Sequence, residues 1–264
     1  MKPKQPWMNA SLSPEERADK LLLEMTLDEC VMQLQQTMYE FAPEHLLRSG
    51  LGSLILASSA TAGNEGANPF NSEELNRLQK IAVEESRLGI PFLTGRDVIH
   101  GHKTVFPIPL GQAAAWDPDL VRDGCRAAAV ECSADGVHWT FSPMLDVSRD
   151  PRWGRMAECY GESALLNADL GVAAVQGYQG DDLSAPDSIA ACAKHWVGYA
   201  AAEGGRDYNS TEISLPTLQD VYQPPFEAVI AAGCQTVMTS FNEVAGIPSV
   251  ANQNLNQGVL RDQW

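Results

Sequence analysis

The feature that most constrains this chain is a recurring pair of signals, a short apolar run followed by a helix start. Gly52–Leu56, Ile90–Thr94, His138–Phe141, Ile189–Lys194 and Thr236–Ser240 each read as a brief buried strand. The helix starts are explicit. Ser13-Pro14-Glu15-Glu16 offers a serine N-cap, proline at the first helical position and glutamate three residues on, and Thr26-Leu27-Asp28-Glu29 repeats the capping-box pattern. Leu21, Leu22 and Met25 form an apolar stripe between them. Asn71-Ser72-Glu73-Glu74 opens a helix through Leu75, Leu78 and Ala82, Asp117-Pro118-Asp119 caps one that runs towards Ala134, and Ser163 opens the next. Leu218–Ala232 reads as helical, with an interruption or restart at Pro224-Pro225.

Strands that alternate with helices imply a mostly parallel sheet covered on both faces. The chain has 264 residues, 44% of them hydrophobic, which suits one α/β domain with a sizeable core. The long interval between strands predicts a (β/α)8 TIM-barrel-like fold with elaborated loops. Only five strands are readable, so the expected barrel is incomplete, and its open edges predict self-association or pairing with a missing C-terminal part. A doubly wound nucleotide-binding fold would need a Gly-x-Gly-x-x-Gly turn after an early strand, and the sequence has none. Asn64–Asn71 and Asp181–Asp187 read as surface loops.

Charge narrows the partners. A formal net charge of −16 repels nucleic acid and anionic membrane, while a neutral small molecule is compatible with it. The longest apolar stretches, such as Ala127–Val130 and Val229–Ala232, are far too short to span a bilayer. Met1–Ala10 lacks the apolar core of a signal peptide, so the expected location is the cytoplasm, or the periplasm or exterior after removal of a signal. The six cysteines form no Cys-x-x-Cys and read as buried thiols rather than a disulfide framework or a zinc site. His100-Gly101-His102 lacks the carboxylates or further histidines of a metal site, and no metal or other cofactor is expected.

In a parallel barrel the informative polar residues are those at the C-terminal ends of strands, where active sites are built. The second strand leads into Gly95-Arg96-Asp97, the third into Ser142-Pro143-Met144 and on to Asp150-Pro151-Arg152-Trp153-Gly154-Arg155. The fourth ends in Lys194-His195-Trp196, and the fifth carries Met238-Thr239-Ser240-Phe241-Asn242-Glu243. Each has a plain structural alternative. Asp97 would cap a turn, Arg152 and Arg155 would pair with Asp150 or Glu158, Lys194 would snorkel, and His195 would be a satisfied core residue. Together, a carboxylate, a guanidinium, an ammonium and an imidazole on successive strand ends point to a site for a polyhydroxylated ligand. Trp153 and Trp196 offer either sugar-stacking faces or core packing.

These residues carry a family resemblance. Gly95-Arg96-Asp97-Val98-Ile99-His100-Gly101 with Thr104-Val105-Phe106-Pro107 resembles the second-strand signature of glycoside hydrolase family 3. Ser148-Arg149-Asp150-Pro151-Arg152-Trp153-Gly154-Arg155, Ala193-Lys194-His195-Trp196-Val197-Gly198, Val237-Met238-Thr239-Ser240-Phe241-Asn242 and Leu260-Arg261-Asp262-Gln263-Trp264 match it in order and spacing. The resemblance covers nearly the whole chain and is nearest to the bacterial β-glucosidase branch. It implies hydrolysis of terminal β-glucosyl residues by a retaining mechanism, with β-xylosidase activity or a catalytically inactive sugar-binding fragment as alternatives. It implies that Asp97, Arg155, Lys194 and His195 hold hydroxyls in the −1 subsite, and that Arg206 and Met238 line the same pocket. It places the nucleophile and the general acid beyond Trp264, the acid in an α/β sandwich domain absent here, so no catalytic residue is assigned within the chain. The N-acetylglucosaminidase branch carries a histidine-bearing loop soon after Lys-His, where this chain has Gly198-Tyr199-Ala200-Ala201-Ala202. A cis peptide is implied at Lys194–His195 and at Ser142–Pro143.

Overall fold

The computed structural model describes residues 5–39, 44–57 and 71–264. The surface loop expected at Asn64–Asn71 therefore lies, but for its last residue, outside the described residues. The chain divides into two compact units, Met1–Ser58 with Asn68–Gly95, and Ser59–Ala67 with Arg96–Trp264.

In the first unit, local cap chemistry sets the helices. Ser13 accepts from the Glu16 amide and the Glu16 side chain accepts from the Ser13 amide, which opens α1 (Pro14–Leu22). Thr26 and Glu29 make the same reciprocal pair ahead of α2 (Leu27–Gln33). Then come β1 (Gln36–Met38), α3 (Glu44–Arg48), β2 (Ser53–Ile55), α4 (Ser72–Lys80) and β3 (Leu93–Arg96). Asn71 caps α4 by accepting from the Glu74 amide. β1 pairs with β2 and β2 with β3, all parallel. Leu47, Leu54, Leu56, Leu75, Leu78 and Phe92 supply the core. The apolar stripe of α1 is not part of it, since no residue of that helix is buried and Leu22 is 61% exposed. β3 starts three residues later than its apolar run, past Pro91, which has no N–H for the ladder.

The second unit continues the alternation with α5 (Pro109–Ala113), α6 (Pro118–Ala134), β4 (Trp139–Thr140), α7 (Ala164–Gln179), β5 (Cys192–Trp196), the short turn α8 (Leu215–Thr217), α9 (Pro224–Ala231) and β6 (Thr236–Thr239). Asp117 caps α6 and Ser163 caps α7, as their sequences dictate. Pro224 begins a new helix after the wide turn at Leu218–Tyr222. Parallel pairing runs from Arg96, whose carbonyl accepts from the Phe141 amide, through Thr140 on Ala190 and Cys192 on Ser142, to β5 on β6. A short antiparallel hairpin, β7 (Glu243–Val244) and β8 (Ile247–Pro248), follows. The class is α/β and TIM-barrel-like.

Glycine decides how closely the helices approach. A Cβ on Gly177 would stand 2.4 Å from the Arg122 carbonyl oxygen and 2.6 Å from Cys125 Cβ, so α7 lies directly on α6. Buried Gln179 fixes the bases of two strands. Its Oε1 accepts from the Ala191 and Gln235 amides, and its Nε2 donates to the Gly233 carbonyl. All six cysteines are free thiols, four of them buried. The peptide bonds Ser142–Pro143 and Lys194–His195 are cis, as the resemblance implied, and Trp196–Val197 is cis as well. Asp181–Asp187 forms the expected loop. Among the described residues, no helix is long and apolar enough to cross a membrane.

Candidate functional site

The polar residues singled out at the strand ends converge within the second unit, and the geometry of β5 is what allows it. Ala193 pairs with Val237 and Trp196 with Thr239, so β5 spends three residue steps where β6 spends two. That extra residue is a bulge, which re-aims side chains that would otherwise alternate between the two faces. Lys194 and His195 occupy it, and Met238 of β6 stands level with both.

Each then meets a carboxylate from another strand end. Lys194 Nζ lies 2.6 Å from Asp97 Oδ1, the lysine side chain being 4% exposed and the aspartate 39%. The lysine therefore does not snorkel outward; it is buried and paired. His195 donates its backbone N–H to Asp146 Oδ2 over 3.1 Å, and its Nδ1 lies 2.9 Å from the same oxygen. Both side chains of that pair are fully buried. A carboxylate at Nδ1 assigns the proton to that nitrogen and leaves Nε2 as an acceptor. Arg155 Nη1, a donor, stands 3.5 Å from that Nε2.

Arg155 is held from behind. Its Nε and Nη2 donate to the two oxygens of Glu158 over 2.7 and 2.8 Å, a bidentate pair. Burial alone would raise the pKa of Glu158, but the hydrogen bonds and charge of Arg155 outweigh it and hold the carboxyl below its ordinary range. Burial would lower the pKa of Arg155, and Glu158 reverses that too. The guanidinium lies 5.8 Å above the Tyr199 ring. Met144, Trp153, Cys159, Tyr199 and Ala200 form the dry wall behind. Within it the Trp153 and Tyr199 rings meet edge-on at 5.3 Å, and Trp153 Nε1 donates to Asp207 Oδ1 over 3.2 Å.

The remaining candidates separate. Trp153 and Trp196 are 1% and 0% exposed, so both are core residues and neither presents a stacking face; Trp196 packs against Phe226 and Trp264. Arg152 is an exposed partner of Asp150, whose carboxyl it pulls down to about 2. Arg206 is exposed, with Nε on the Glu203 carbonyl over 3.4 Å, and among the described residues it makes no polar contact with Asp97, Arg155, Lys194 or His195. His100 Nδ1 meets the Phe106 carbonyl and His102 Nε2 meets Asp135, so the two imidazoles serve different neighbours. An apolar cavity of about 400 Å³ under Phe106 and Leu120 is lined by none of the cluster and has the wrong chemistry for hydroxyls.

One member of the cluster, Asp146, carries no role in the sequence reading, whereas Glu158 enters it as the structural partner that Arg155 indeed finds. For Asp146 a signal existed. It is the one charged residue in Phe141–Ser148, and a charge inside so apolar a run must find a buried partner. Ammonium, guanidinium and imidazole each face a carboxylate of their own, Asp97, Glu158 and Asp146. That arrangement has the chemistry to exchange hydrogen bonds with neutral hydroxyls and holds no unneutralised cation for an anion.

Comparison with known proteins gives the same direction. The sequence profile of the glycosyl hydrolase family 3 N terminal domain matches residues 26–264. A periplasmic beta-glucosidase of Salmonella typhimurium is 36% identical over 261 residues, covering 97% of this chain and 33% of that protein. A putative beta-xylosidase of Formosa agariphila is 37% identical over 277 residues, covering 98% of this chain and 36% of that protein. A beta-glucosidase from Listeria innocua, solved in complex with glucose, superposes with a TM-score of 0.83 at 40% identity, covering 94% of this chain and 36% of that one. The chain thus spans about a third of the length of the curated relatives it matches.

Proposed function

This chain belongs to glycosyl hydrolase family 3, and from that premise we propose that it supplies the hydroxyl-binding part of the −1 subsite of a retaining β-glucosidase. The observation that carries this reading is the buried Lys194–Asp97 pair set beside the Asp146–His195–Arg155 chain. Asp97, the more exposed partner, accepts two sugar hydroxyls. Lys194 and Arg155 donate to hydroxyl oxygens, and Nε2 of His195 accepts from a hydroxyl. Met238, level with Lys194 and His195, lines the pocket floor, and Arg206, which makes no polar contact with the cluster, is assigned to its outer edge. None of these groups forms a glycosyl intermediate. A retaining enzyme needs a nucleophilic carboxylate and an acid about 5–5.5 Å apart, and the reading assigns both to polypeptide beyond Trp264.

The Formosa relative's name favours a second reading, a β-xylosidase, in which the same groups hold a pentose. Isothermal calorimetry with glucose and xylose on the chain, and turnover of the two p-nitrophenyl glycosides by the longest natural form of the protein, separate the two. The expected result is glucose binding that Asp97→Ala abolishes, with turnover by residues 1–264 alone lower by several orders of magnitude. Robust turnover by residues 1–264, lost in Asp97→Ala, would assign the chemistry to a carboxylate of this segment and overturn the reading.

A further inference from the structure

We infer that Glu131 and Asp135, at the end of α6, are positioning residues that clamp the segment leaving β3 and so fix the direction of Asp97, an assignment that rests on the function proposed above. Among the described residues the Asp97 side chain makes one hydrogen bond, to Lys194. A carboxylate that accepts two hydroxyls needs a fixed plane as well as a fixed place. One bond to an ammonium, a point charge with rotatable donors, does not set that plane. The backbone that carries Asp97 must therefore be held.

It is held at three places. The Val98 carbonyl accepts from the hydroxyl of Tyr178, a buried residue of α7. His100 and Phe106 then close a loop, for the Phe106 amide donates to the His100 carbonyl over 2.8 Å and His100 Nδ1 lies 2.9 Å from the Phe106 carbonyl. Gly101 turns inside it at φ 124°, where a Cβ would stand 1.9 Å from the Thr104 carbonyl oxygen. The tip of this loop is tied to α6. Glu131 Oε2 accepts from the Lys103 and Thr104 amides over 2.8 and 2.9 Å, and its Oε1 accepts from Thr104 Oγ1 over 2.6 Å. One turn on, Asp135 meets His102 Nε2 at 2.9 Å and Lys103 Nζ at 2.8 Å on separate oxygens. Burial would raise the pKa of both carboxyls, but these bonds hold both below their ordinary range. The placement runs against local preference. A helix C-terminus favours cations, yet the last turn of α6 has no basic residue and ends in these two carboxylates. A choice that opposes the helix dipole points to a tertiary role, and among the described residues the side-chain hydrogen bonds of both go to residues 102–104. Buried Arg96 adds a second link. Burial disfavours its cation, and the charges of Asp135 and Asp97 both oppose that.

The test measures glucose binding to the full chain by calorimetry, with hydrogen exchange at the Lys103 and Thr104 amides to show whether the clamp is closed. Glu131→Ala should speed that exchange and weaken glucose binding by roughly 2- to 30-fold, the range for residues that act through others. Glu131→Gln keeps an oxygen for both amides and should bind as the wild type does. A double-mutant cycle separates positioning from general loosening. In an Asp97→Asn background, Glu131→Ala should weaken binding by a smaller factor than in the wild type, because the contact it orients is already impaired. Thr104→Val deletes one of the three Glu131 bonds, and it supplies the same cycle with a smaller effect if the alanine variant does not fold. Amides that stay protected in Glu131→Ala, unchanged glucose binding, or full additivity in the cycle would each overturn the clamp while leaving the proposed function intact. If the wild type binds no glucose, the proposed function fails and takes this inference with it.

Discussion

Replacing Asp146 by alanine isolates what orients His195. One oxygen of Asp146 accepts from both the His195 backbone N–H and its ring, and the pair is sealed from water. Alanine leaves two buried donors without an acceptor, at about 1–3 kcal/mol each. The sum agrees with the about 3–5 kcal/mol lost when one partner of a buried pair is removed. For a domain of this size each kcal/mol moves Tm by roughly 2–4 °C, so Asp146→Ala should lower Tm by roughly 6–20 °C in a thermal melt followed by circular dichroism. Asparagine keeps an oxygen in the same place. Both bonds survive without their charge assistance, at a cost of about 1 kcal/mol, or roughly 2–4 °C. Equal shifts for the two variants, or an alanine variant that melts with the wild type, would refute the idea that this oxygen holds the imidazole.

Three further outcomes follow from packing and charge. Gly177→Ala should destabilise by about 1–3 kcal/mol in urea unfolding because its Cβ meets backbone. Gly124→Ala on α6, where the nearest atoms are 3.8 Å away in the Phe106 ring, should instead stabilise by about 0.4–1 kcal/mol. Glu158 is held below its ordinary 4.5, so its contribution to stability is fully present above that value and is lost as pH falls through the lower folded value. The Tm gap between wild type and Glu158→Gln should therefore narrow as pH drops from about 6 to about 3.

What could be read from the sequence was whatever short-range chemistry writes locally. Each N-cap at Ser13, Thr26, Asn71, Asp117 and Ser163 is a contact within four residues, and all five are made. β1 was invisible because Gln36-Thr37-Met38 has no apolar alternation; it becomes a strand only by pairing with Ser53–Ile55. β3 and β5 were read three residues early, because apolar character marks where a chain is buried and not where its ladder bonds begin. The site showed the same division. Asp97, Arg155, Lys194 and His195 stood out as charges on strand ends. Asp146 did not, because its neighbours Leu145 and Val147 made the segment look like plain core. Arg206 entered only through the family resemblance, as a pocket-lining residue beside Met238, and its environment depends on a loop path that no local signal encodes.

The extra residue in β5 gives the site an unusual kind of fragility. Most proteins absorb insertions and deletions worse than substitutions, but here the asymmetry is concentrated in one strand. Exchanging Lys194 or His195 removes one partner and leaves the other pair standing. Deleting either Lys194 or His195 restores the regular register opposite Met238, so one pair is lost outright and the side chain left behind is re-aimed by the straightened strand. Across descendants of this chain, the spacing of that segment should therefore outlast the identity of the residues within it.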